Sequence, residues 1–322
     1  MIDTLYYEDW DAAYGSPYLI DETEAVEGSA QLAEPMSAGG IGLNPLGGGQ
    51  QRVAFVDGVR RGEGLLYRRS PGGVLVRGVA GAHARGAALC EPGRRPVIDG
   101  IATRRLVIFG GGEPAELPAI DGYAWERAAI ASTDLDAPRA ELQQRMREGE
   151  SRLCEDLARQ GWLVIADGPL YFIRSRDLPV VGFIKTHMRV LLEPALHARV
   201  PEIACGQRTP LFALGSDRYS AYTRICDPAL NASPWRGIVR IEVPQSQGLS
   251  AAAATADAVT RVLPRFAGIA HRDPRAPQNL QPIGVLERTL THRLGAARLA
   301  KRAVRLAVAA SVRRPASIAT PP

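Results

Sequence analysis

The sequence is poor in cysteine and has no long apolar run. Its 322 residues include four cysteines, Cys90, Cys154, Cys205 and Cys226, which lie far apart without a C-x-x-C pair. This spacing argues against a zinc ribbon and a disulfide scaffold, and it suits a reducing cytosol. The first segment, MIDTLYYEDWDAAYG, is acidic, and no stretch of about 18 apolar residues without charges occurs. We therefore expect a cytoplasmic protein that neither is secreted nor crosses a membrane.

Phosphate-binding loops are also absent from the sequence. The glycine-rich segments GIGLNPLGGGQ and FGGGEP lack the Lys-Ser/Thr pair of a Walker motif and the strand-to-helix setting of a dinucleotide site. Lysine is rare too, since only Lys185 and Lys301 occur among 39 basic residues. The formal net charge of +5 permits a polyanionic partner without requiring one. Any work on nucleic acid that needs ATP would therefore need a separate motor protein.

Composition and periodicity divide the chain into three parts. Residues 1–50 predict a flexible N-terminal arm and linker, because their second half is too rich in Gly and Pro for a regular element. Residues 51–312 predict one α/β domain, whose core is supplied by the 46% apolar content of the chain. Residues 313–322 predict a disordered tail.

The domain begins with a predicted meander. The runs RVAFVDG, GEGLLYRR, GGVLVRGVAGAHARGAAL and RRLVIFG indicate three or four strands. Residues 138–160 then have the spacing of an amphipathic helix that ends at Gly161, and WLVIADG follows as a strand buried on both faces. Four further strands are predicted in VVGFIKTH, PLFALG, YSAYTRI and GIVRIEVP, with a short helix in MRVLLEPALHARV. The chain closes with a helix at 249–266, broken near Pro264, and two helices at 283–312, parted at Gly295.

Two aspartates occupy equivalent places in this order. Asp57 and Asp167 each end a hydrophobic run, and each is followed by Gly. One such Asp-Gly pair is most often a plain turn. Two of them, one on each side of a long helix, favour a shared acidic site, because a carboxylate at the end of a buried strand is costly unless it is paired or binds metal.

Glu150 is the third candidate, because of its helical phase. At about 100° per residue, it falls inside the apolar stripe of Leu142, Met146, Leu153 and Leu157, whereas Glu148 and Glu155 fall on the far side. A carboxylate at this inward position either lies at the edge of the apolar face, where it reaches water, or binds a metal ion. Three carboxylates without a His/Cys cluster suit magnesium or manganese, and two such ions can support phosphodiester hydrolysis.

This order of elements and acids resembles that of ribonuclease H-like nucleases. The resemblance narrows to one family over roughly residues 52–294. The blocks VDGVRR, ADGPL, VGFIKTHMRVLL, RTPLFALG, RYSAYTRI, GIVRIEVP, LPRFA and DPRAPQNLQPIGVLE are similar, in this order, to the bacterial branch of the NurA nucleases. The resemblance implies an α/β fold with a ribonuclease H-like mixed sheet flanked by helices, a β-rich insertion and C-terminal helices.

The resemblance also implies a function. It is that of a DNA nuclease with two Mn²⁺ or Mg²⁺ ions, an exonuclease on single- and double-stranded ends that acts in DNA end resection and repair. A HerA-type hexameric ATPase is the implied partner and a homodimer the implied assembly. The family's acids map onto Asp57, Glu150 and Asp167.

The sequence departs from the family at Val59, where Ser is frequent, and at Gln281-Pro282, where archaeal members have Tyr-Pro and a later His. Asp273, His271 and Glu287 therefore stay open as the fourth ligand. By helical phase Glu287 faces inward, toward the metals or toward an arginine, and Asp273 has pairing with Arg275 as its alternative.

The basic residues that could act in catalysis or DNA binding also have purely structural interpretations. Lys185 is either a catalytic residue that neutralises a phosphate or a strand-end lysine that reaches water. For DNA binding we predict Arg60, Arg61, His187, Arg240 and Arg275, and Arg208, Arg218 and Arg224 could line the same groove. Each arginine alone is as compatible with a salt bridge. Tyr219, Tyr222 and Trp235 could stack on bases, although aromatic residues in strands usually belong to the core.

Two other functions stay open at this stage. One is a catalytically silent DNA-binding adaptor of a motor ATPase, against which the three intact carboxylates argue. The other is a two-carboxylate glycosidase, which would work without metal. The sequence lacks the many aromatic residues that usually line a sugar cleft, with only 6% Phe, Trp and Tyr.

Overall fold

The computed structural model describes residues 5–8, 30–36, 40–47, 50–69, 72–170, 173, 177–185, 190–228, 233–273 and 275–313. Its strands are β1 (Leu5–Glu8), β2 (Val53–Arg69), β3 (Leu75–Cys90), β4 (Val97–Phe109), β5 (Glu126–Ala129), β6 (Leu163–Asp167), β7 (Val180–Ile184), β8 (Phe212–Leu214), β9 (Arg218–Arg224) and β10 (Ile238–Pro244). Its α-helices are α1 (Ala137–Arg159), α2 (Pro194–Arg199), α3 (Leu249–Val262), α4 (Gln281–Arg293) and α5 (Ala297–Arg313). Short 3-10 helices span Val200–Glu202, Gln245–Gln247 and Leu263–Phe266.

All these strands belong to one mixed sheet. Its order is β5-β4-β3-β2-β6-β7-β10-β9-β8, and β1 pairs with the distal half of β2. The strands β2, β3 and β4 form an antiparallel meander, and β6 lies parallel to β2 on its other side. A meander, a long helix and a parallel strand beside the first strand are the ribonuclease H-like order. The predicted fold class, a mixed sheet flanked by helices, is confirmed.

The predicted β-rich insertion continues this sheet. The strand β7 pairs in parallel with β6, and β10 pairs antiparallel with β7. The strands β9 and β8 then follow as the last two of the sheet path. The middle third of the chain therefore lengthens the sheet on the side away from the meander.

The runs VAFVDG and GEGLLYRR both lie in β2, so the meander has three of the three or four predicted strands, and Asp57-Gly58 is not the plain turn that such a pair most often forms. The strand β2 runs through Asp57 and Gly58 without a break, because both residues stay paired with β3, at Gly86 and Arg85. Only the pairing with β6 stops here, after Val56 and Ala166. A hydrophobic run ends at Asp57 because the neighbouring strand ends, not because β2 turns.

Helices cover both faces of the sheet. Side chains alternate along β2, so Ala54 and Val56 pack with the Leu153 and Leu157 side of α1, while Val53 and Phe55 pack with α3 and the start of α4. Further along the second face, α4 packs through Leu286, Leu290 and Leu294 on the small Ala82 and Ala84 of β3. The helix α1 thus lies on one face, and α3 and α4 lie on the other.

The long helix α1 has the predicted register. Its buried side chains include Leu142, Met146, Leu153 and Leu157, as well as Glu150. It ends at Gly161 as predicted. The residue has φ +82°, and the N–H groups of Gly161 and Trp162 donate to the carbonyls of Ala158 and Leu157, which is a Schellman motif. No helix within the described ranges is long and apolar enough to cross a membrane.

Part of the predicted N-terminal arm has definite partners. Residues 5–8 form a strand on β2, and Leu32 and Leu43 make single bridges with Phe212 and Arg208. A buried ion network joins this segment to α3, because the Arg208 guanidinium pairs with both Glu34 and Asp257. Main-chain hydrogen bonds and an ion pair with one buried arginine therefore connect these residues to the sheet.

Candidate metal centre

Parallel pairing of β2 and β6 brings the two aspartates together. The register pairs Val56 with Ala166, so Asp57 and Asp167 follow side by side at the level where β6 ends. The side chain of Asp57 is only 5% exposed. A carboxylate oxygen of each aspartate and one of Glu287 all lie within 4.8 Å of one another. The shared acidic site that the sequence suggested therefore has three close carboxylates.

Glu287 comes from the second face of the sheet. Leu286 and Leu290 bury their side of α4 against the sheet, and Glu287 lies beside them, half-buried at the level of Asp57. Of the three fourth-ligand candidates, Glu287 is the one in the close group. His271 is exposed and does not belong to it among the described residues.

Glu150 reaches the same region from the opposite face. Its residue is 6% exposed, and its Oε2 accepts a hydrogen bond from Nη1 of Arg147 at 2.9 Å. The other oxygen, Oε1, is buried and has no hydrogen-bond partner among the described residues. It lies over Gly58, where a Cβ atom would overlap with it. The glycine after Asp57 therefore leaves room for a fourth carboxylate.

Burial and mutual repulsion shift the acids of this cluster. Burial, then the charges of Asp167 and Glu150, raise the pKa of Asp57 well above its ordinary value of 3.8, although Lys185 opposes the shift. Burial also raises the pKa of Glu150 above 4.5, against the lowering effect of Arg147. Both shifts favour the protonated carboxyl groups, because burial and the neighbouring negative charges together outweigh the nearby cations.

Three cations surround the acids without entering their centre. The ammonium of Lys185 donates to Oδ2 of Asp167 at 2.7 Å. Arg147 bonds Glu150 and the carbonyl of Asp167, at 2.8 Å for the latter. Arg275 pairs with both Asp273 and Glu287. With Asp57, Glu150, Asp167 and Glu287 all ionised, four negative charges would face three positive ones.

Two residues of the acidic site, Asn279 and Arg147, were not predicted from the sequence. The buried Asn279 accepts from Lys185 at 2.8 Å and donates to Asp273 at 2.6 Å, so it links the lysine to the loop before α4. Burial opposes the shift, but the hydrogen bonds from Asn279 and Arg275 lower the pKa of Asp273 to about 2. Asp273 thus holds Asn279 and Arg275 rather than joining the close group. The signals were present: Asn279 lies in the block APQNLQP, and Arg147 lies one helical turn before Glu150.

The donor set fits a hard divalent cation. Carboxylate oxygens are the ligands that Mg²⁺ and Mn²⁺ prefer, and no His or Cys is part of the group. The unpartnered Oε1 of Glu150 is a buried oxygen that a cation would satisfy. The ligand roles of Asp57, Glu150, Asp167 and Glu287 stay predictions, while the closeness of Asp57, Asp167 and Glu287 is a property of the fold.

The predicted DNA-binding residues have mixed surroundings. Arg61 donates to the carbonyls of Leu294 and Gly295 after α4, and Arg240 pairs with Glu242, so both have internal partners. Arg60 donates to Gln143 of α1. Arg275 is the exposed one among these arginines, beside Glu287. His187 lies outside the described residues.

The other groove candidates belong to the interior. Arg208, Arg218 and Arg224 are each 3% exposed and carry ion pairs or bonds to carbonyl groups, so the idea that they line a groove is wrong. Tyr222 is 1% exposed and lies in a core cluster that Trp235 contacts, and Tyr219 packs against another core cluster. These aromatic residues fill the core, as aromatic residues in strands usually do.

Comparisons with known proteins extend only to the course of the backbone. No protein-family model matches the chain, and no curated protein is similar to it in sequence. Among solved structures, the crystal structure of the NurA nuclease from Sulfolobus solfataricus is similar, with a TM-score of 0.47 and 8% sequence identity. The similarity covers 84% of this chain and 87% of that one. The side chains described above, and not this similarity, are the basis of the functional proposal.

Gly58→Ala tests whether Glu150 needs the space above β2. The new methyl group would overlap Oε1 of Glu150 and lie 2.9 Å from Cγ of Met146, so it should displace the carboxylate. We expect Mn²⁺ affinity, measured by calorimetric titration, to fall by roughly 10- to 100-fold, as when a group that orients a ligand is lost. Gly62→Ala is the matched control in the same strand, since nothing lies within 4 Å of its Cβ position. Equal affinities for the two variants would contradict this role of Gly58.

Asp57→Asn tests the electrostatic cost of the cluster. Because the pKa of folded Asp57 is raised, the folded state holds a proton that the unfolded chain has lost, and stability falls as the pH rises from 3.8 through the folded pKa. In chelator, the wild-type Tm should therefore fall with pH more than that of Asp57→Asn. Added Mn²⁺ should raise the Tm of the wild type and not that of the variant. Asp156→Asn, at an exposed position of α1, should follow the wild type in both measurements.

Proposed function

We propose that this chain is a divalent-metal-dependent DNA nuclease, a phosphodiester hydrolase with Asp57, Asp167, Glu287 and Glu150 as its metal-binding residues. The observation that carries the proposal is the convergence of three carboxylates within 4.8 Å beside a buried, unpartnered oxygen of a fourth. Such a group is costly in a folded protein unless a cation compensates it, because its members disfavour one another's ionised forms.

The residues around the acids have separate roles in this proposal. Bound Mg²⁺ or Mn²⁺ would supply positive charge for the attacking and leaving oxygens of phosphodiester hydrolysis. Lys185 and Asn279 fix the orientation of the Asp167 carboxylate, since the ammonium bonds both side chains. Arg147 holds one oxygen of Glu150, and the other oxygen lies over Gly58, the residue after Asp57, without a partner among the described residues. Arg275 holds Glu287 and lies at the surface, where it can meet a phosphate of the substrate.

DNA as the substrate is supported by charge and by the resemblance described above. A chain with a formal net charge of +5 is attracted to the phosphate backbone. The resemblance to NurA nucleases supports exonucleolytic action on single- and double-stranded ends, in end resection and repair.

A paired substitution on α1 tests the proposal. Glu150→Gln should lower hydrolysis of end-labelled DNA in Mn²⁺ or Mg²⁺ by roughly 100-fold or more, the scale of losing one charge-stabilising group. Glu155→Gln should leave the rate nearly unchanged, because this carboxylate pairs with Arg159 on the same helix, away from the acids. Chelator should abolish the activity of both proteins. Equal, mild effects of the two variants would remove Glu150 from the site.

The same assay distinguishes the other functions. A silent adaptor would bind DNA but leave it intact with every metal. A two-carboxylate glycosidase would hydrolyse a sugar polymer in chelator and leave DNA intact. No feature of the described residues favours either of these functions over hydrolysis of DNA.

We further propose a homodimer that works with a HerA-type hexameric ATPase, and this rests on the resemblance alone. The sequence has no nucleotide-binding loop, so sustained degradation of duplex ends would need a motor. The ATPase from the same source should co-purify with the chain at low salt and accelerate degradation of duplex DNA. Separation of the two proteins under those conditions would contradict the partnership.

A further inference from the structure

A small basic cavity lies between α1 and the β3–β4 part of the sheet. Its volume is about 160 Å³, well above the ~10–15 Å³ that one water needs. The polar and charged residues that line it are His83, Arg85, Arg104, Arg145, Glu148 and Arg152. None of them belongs to the acid cluster, although α1 contributes to both sites.

His83 is the unusual group in this cavity. The residue is 3% exposed, and neither ring nitrogen has a hydrogen-bond partner among the described residues. A neutral imidazole has one donor and one acceptor, and burial of such groups without partners is costly. The cavity thus contains a buried polar side chain that lacks a ligand.

Positive charge surrounds this imidazole. Arg145, Arg152 and Arg104 have carboxylate partners in Glu141, Glu148 and Glu126. Arg85 instead donates to the carbonyl of Gly100 at 2.7 Å, and its charge has no carboxylate partner in the part of the chain that the structure describes. The four arginines around the cavity and their three glutamate partners therefore have a net charge of one positive unit.

The titration of His83 agrees with this balance. Burial, then the charge of Arg104, lower its pKa to about 4, and Arg145 and Arg85 contribute in the same direction against Glu126. The imidazole is therefore neutral near neutrality, and an anion placed beside it would raise its pKa.

We propose that this cavity binds a phosphate group, which His83, Arg85, Arg145 and Arg152 hold. Guanidinium groups match phosphate oxygens with two parallel N–H donors, and a neutral imidazole adds a further N–H. The surface pairs of Arg145 and Arg152 with glutamates of their own helix are weak and can yield to a phosphate oxyanion.

Two sources could supply this phosphate: the backbone of a nucleic acid or free phosphate. The first source rests on the proposed function. Gly149 supports it, because this residue lines the cavity and directly precedes Glu150, so the turn of α1 that carries Glu150 also borders the bound phosphate.

Ring NMR signals of the five histidines provide the test, with inorganic phosphate as the probe and chelator present throughout. The signals of His83 should shift with phosphate, not with chloride at equal ionic strength, and the titration midpoint of His83 should rise above about 4. The double variant Arg145→Gln/Arg152→Gln should bind phosphate about tenfold or more weakly, since it loses two charged donors. Arg159→Gln is the matched control, because it loses a similar pair with Glu155 on the same helix but not at the cavity.

A single-stranded oligonucleotide, added in chelator, identifies the source. Displacement of phosphate from His83 would assign the site to a nucleic-acid backbone, and lack of displacement would assign it to free phosphate. Unchanged His83 signals with phosphate, or equal binding by the double variant and the control, would overturn the proposal. Because no hydrolysis occurs in chelator, this result is independent of whether the acid cluster cleaves DNA.

Discussion

Repulsion among like charges is the constraint that the centre of this protein has to accommodate. Three carboxylates converge where β6 ends, Glu150 lies next to them over Gly58, and the cations available to these acids stand outside the group. Asp167 has Lys185, Glu150 has Arg147 and Glu287 has Arg275, whereas among the described residues the side chain of Asp57 accepts a hydrogen bond only from the N–H of Gly58. Burial first, and then the charges of Asp167 and Glu150, raise the pKa of Asp57 well above its ordinary value. The arrangement keeps individual acids in place and leaves their common centre for a cation.

Strand β2 distributes these acids between the two faces of the sheet. Asp57 shares the side of Val53 and Phe55, toward α4 and Glu287, while Gly58 shares the side of Val56, toward α1 and Glu150. Neighbouring positions on one strand thus serve opposite faces. In the Asp-Gly pair, the aspartate supplies a carboxylate, and the glycine leaves space for the side chain of Glu150. The pair does not form the turn that it usually indicates.

Sequence patterns predicted the features of the fold that depend on a single helix or strand. The apolar spacing of α1 gives the inward direction of Glu150 and the C-terminal Gly161, and the apolar run before Asp167 gives the end of β6. Patterns of this kind are local, because burial on one helix face or one strand repeats along the chain. The continuity of β2 could not be read in this way, since the pairing with β3 maintains it through a polar and glycine-rich segment.

The errors about arginines have the same physical origin. A sequence gives the charge of Arg208, Arg218 and Arg224 but not the carboxylates that meet them in space, such as Glu34, Asp257 and Glu242. Asn279 was missed for a related reason, because its role rests on its hydrogen bonds with Lys185 and Asp273, which only the structure shows. Contacts between distant segments decided each of these cases.

The close approach of α1 to the sheet is another such contact, and both sites depend on it. Gly58 makes room for Glu150, and Gly81 makes room for Leu142. Larger side chains at these positions would lift α1, and its glutamate would withdraw from the acids while its arginines would withdraw from His83. The spacing between one helix and one sheet therefore determines the geometry of the acidic and the basic site together.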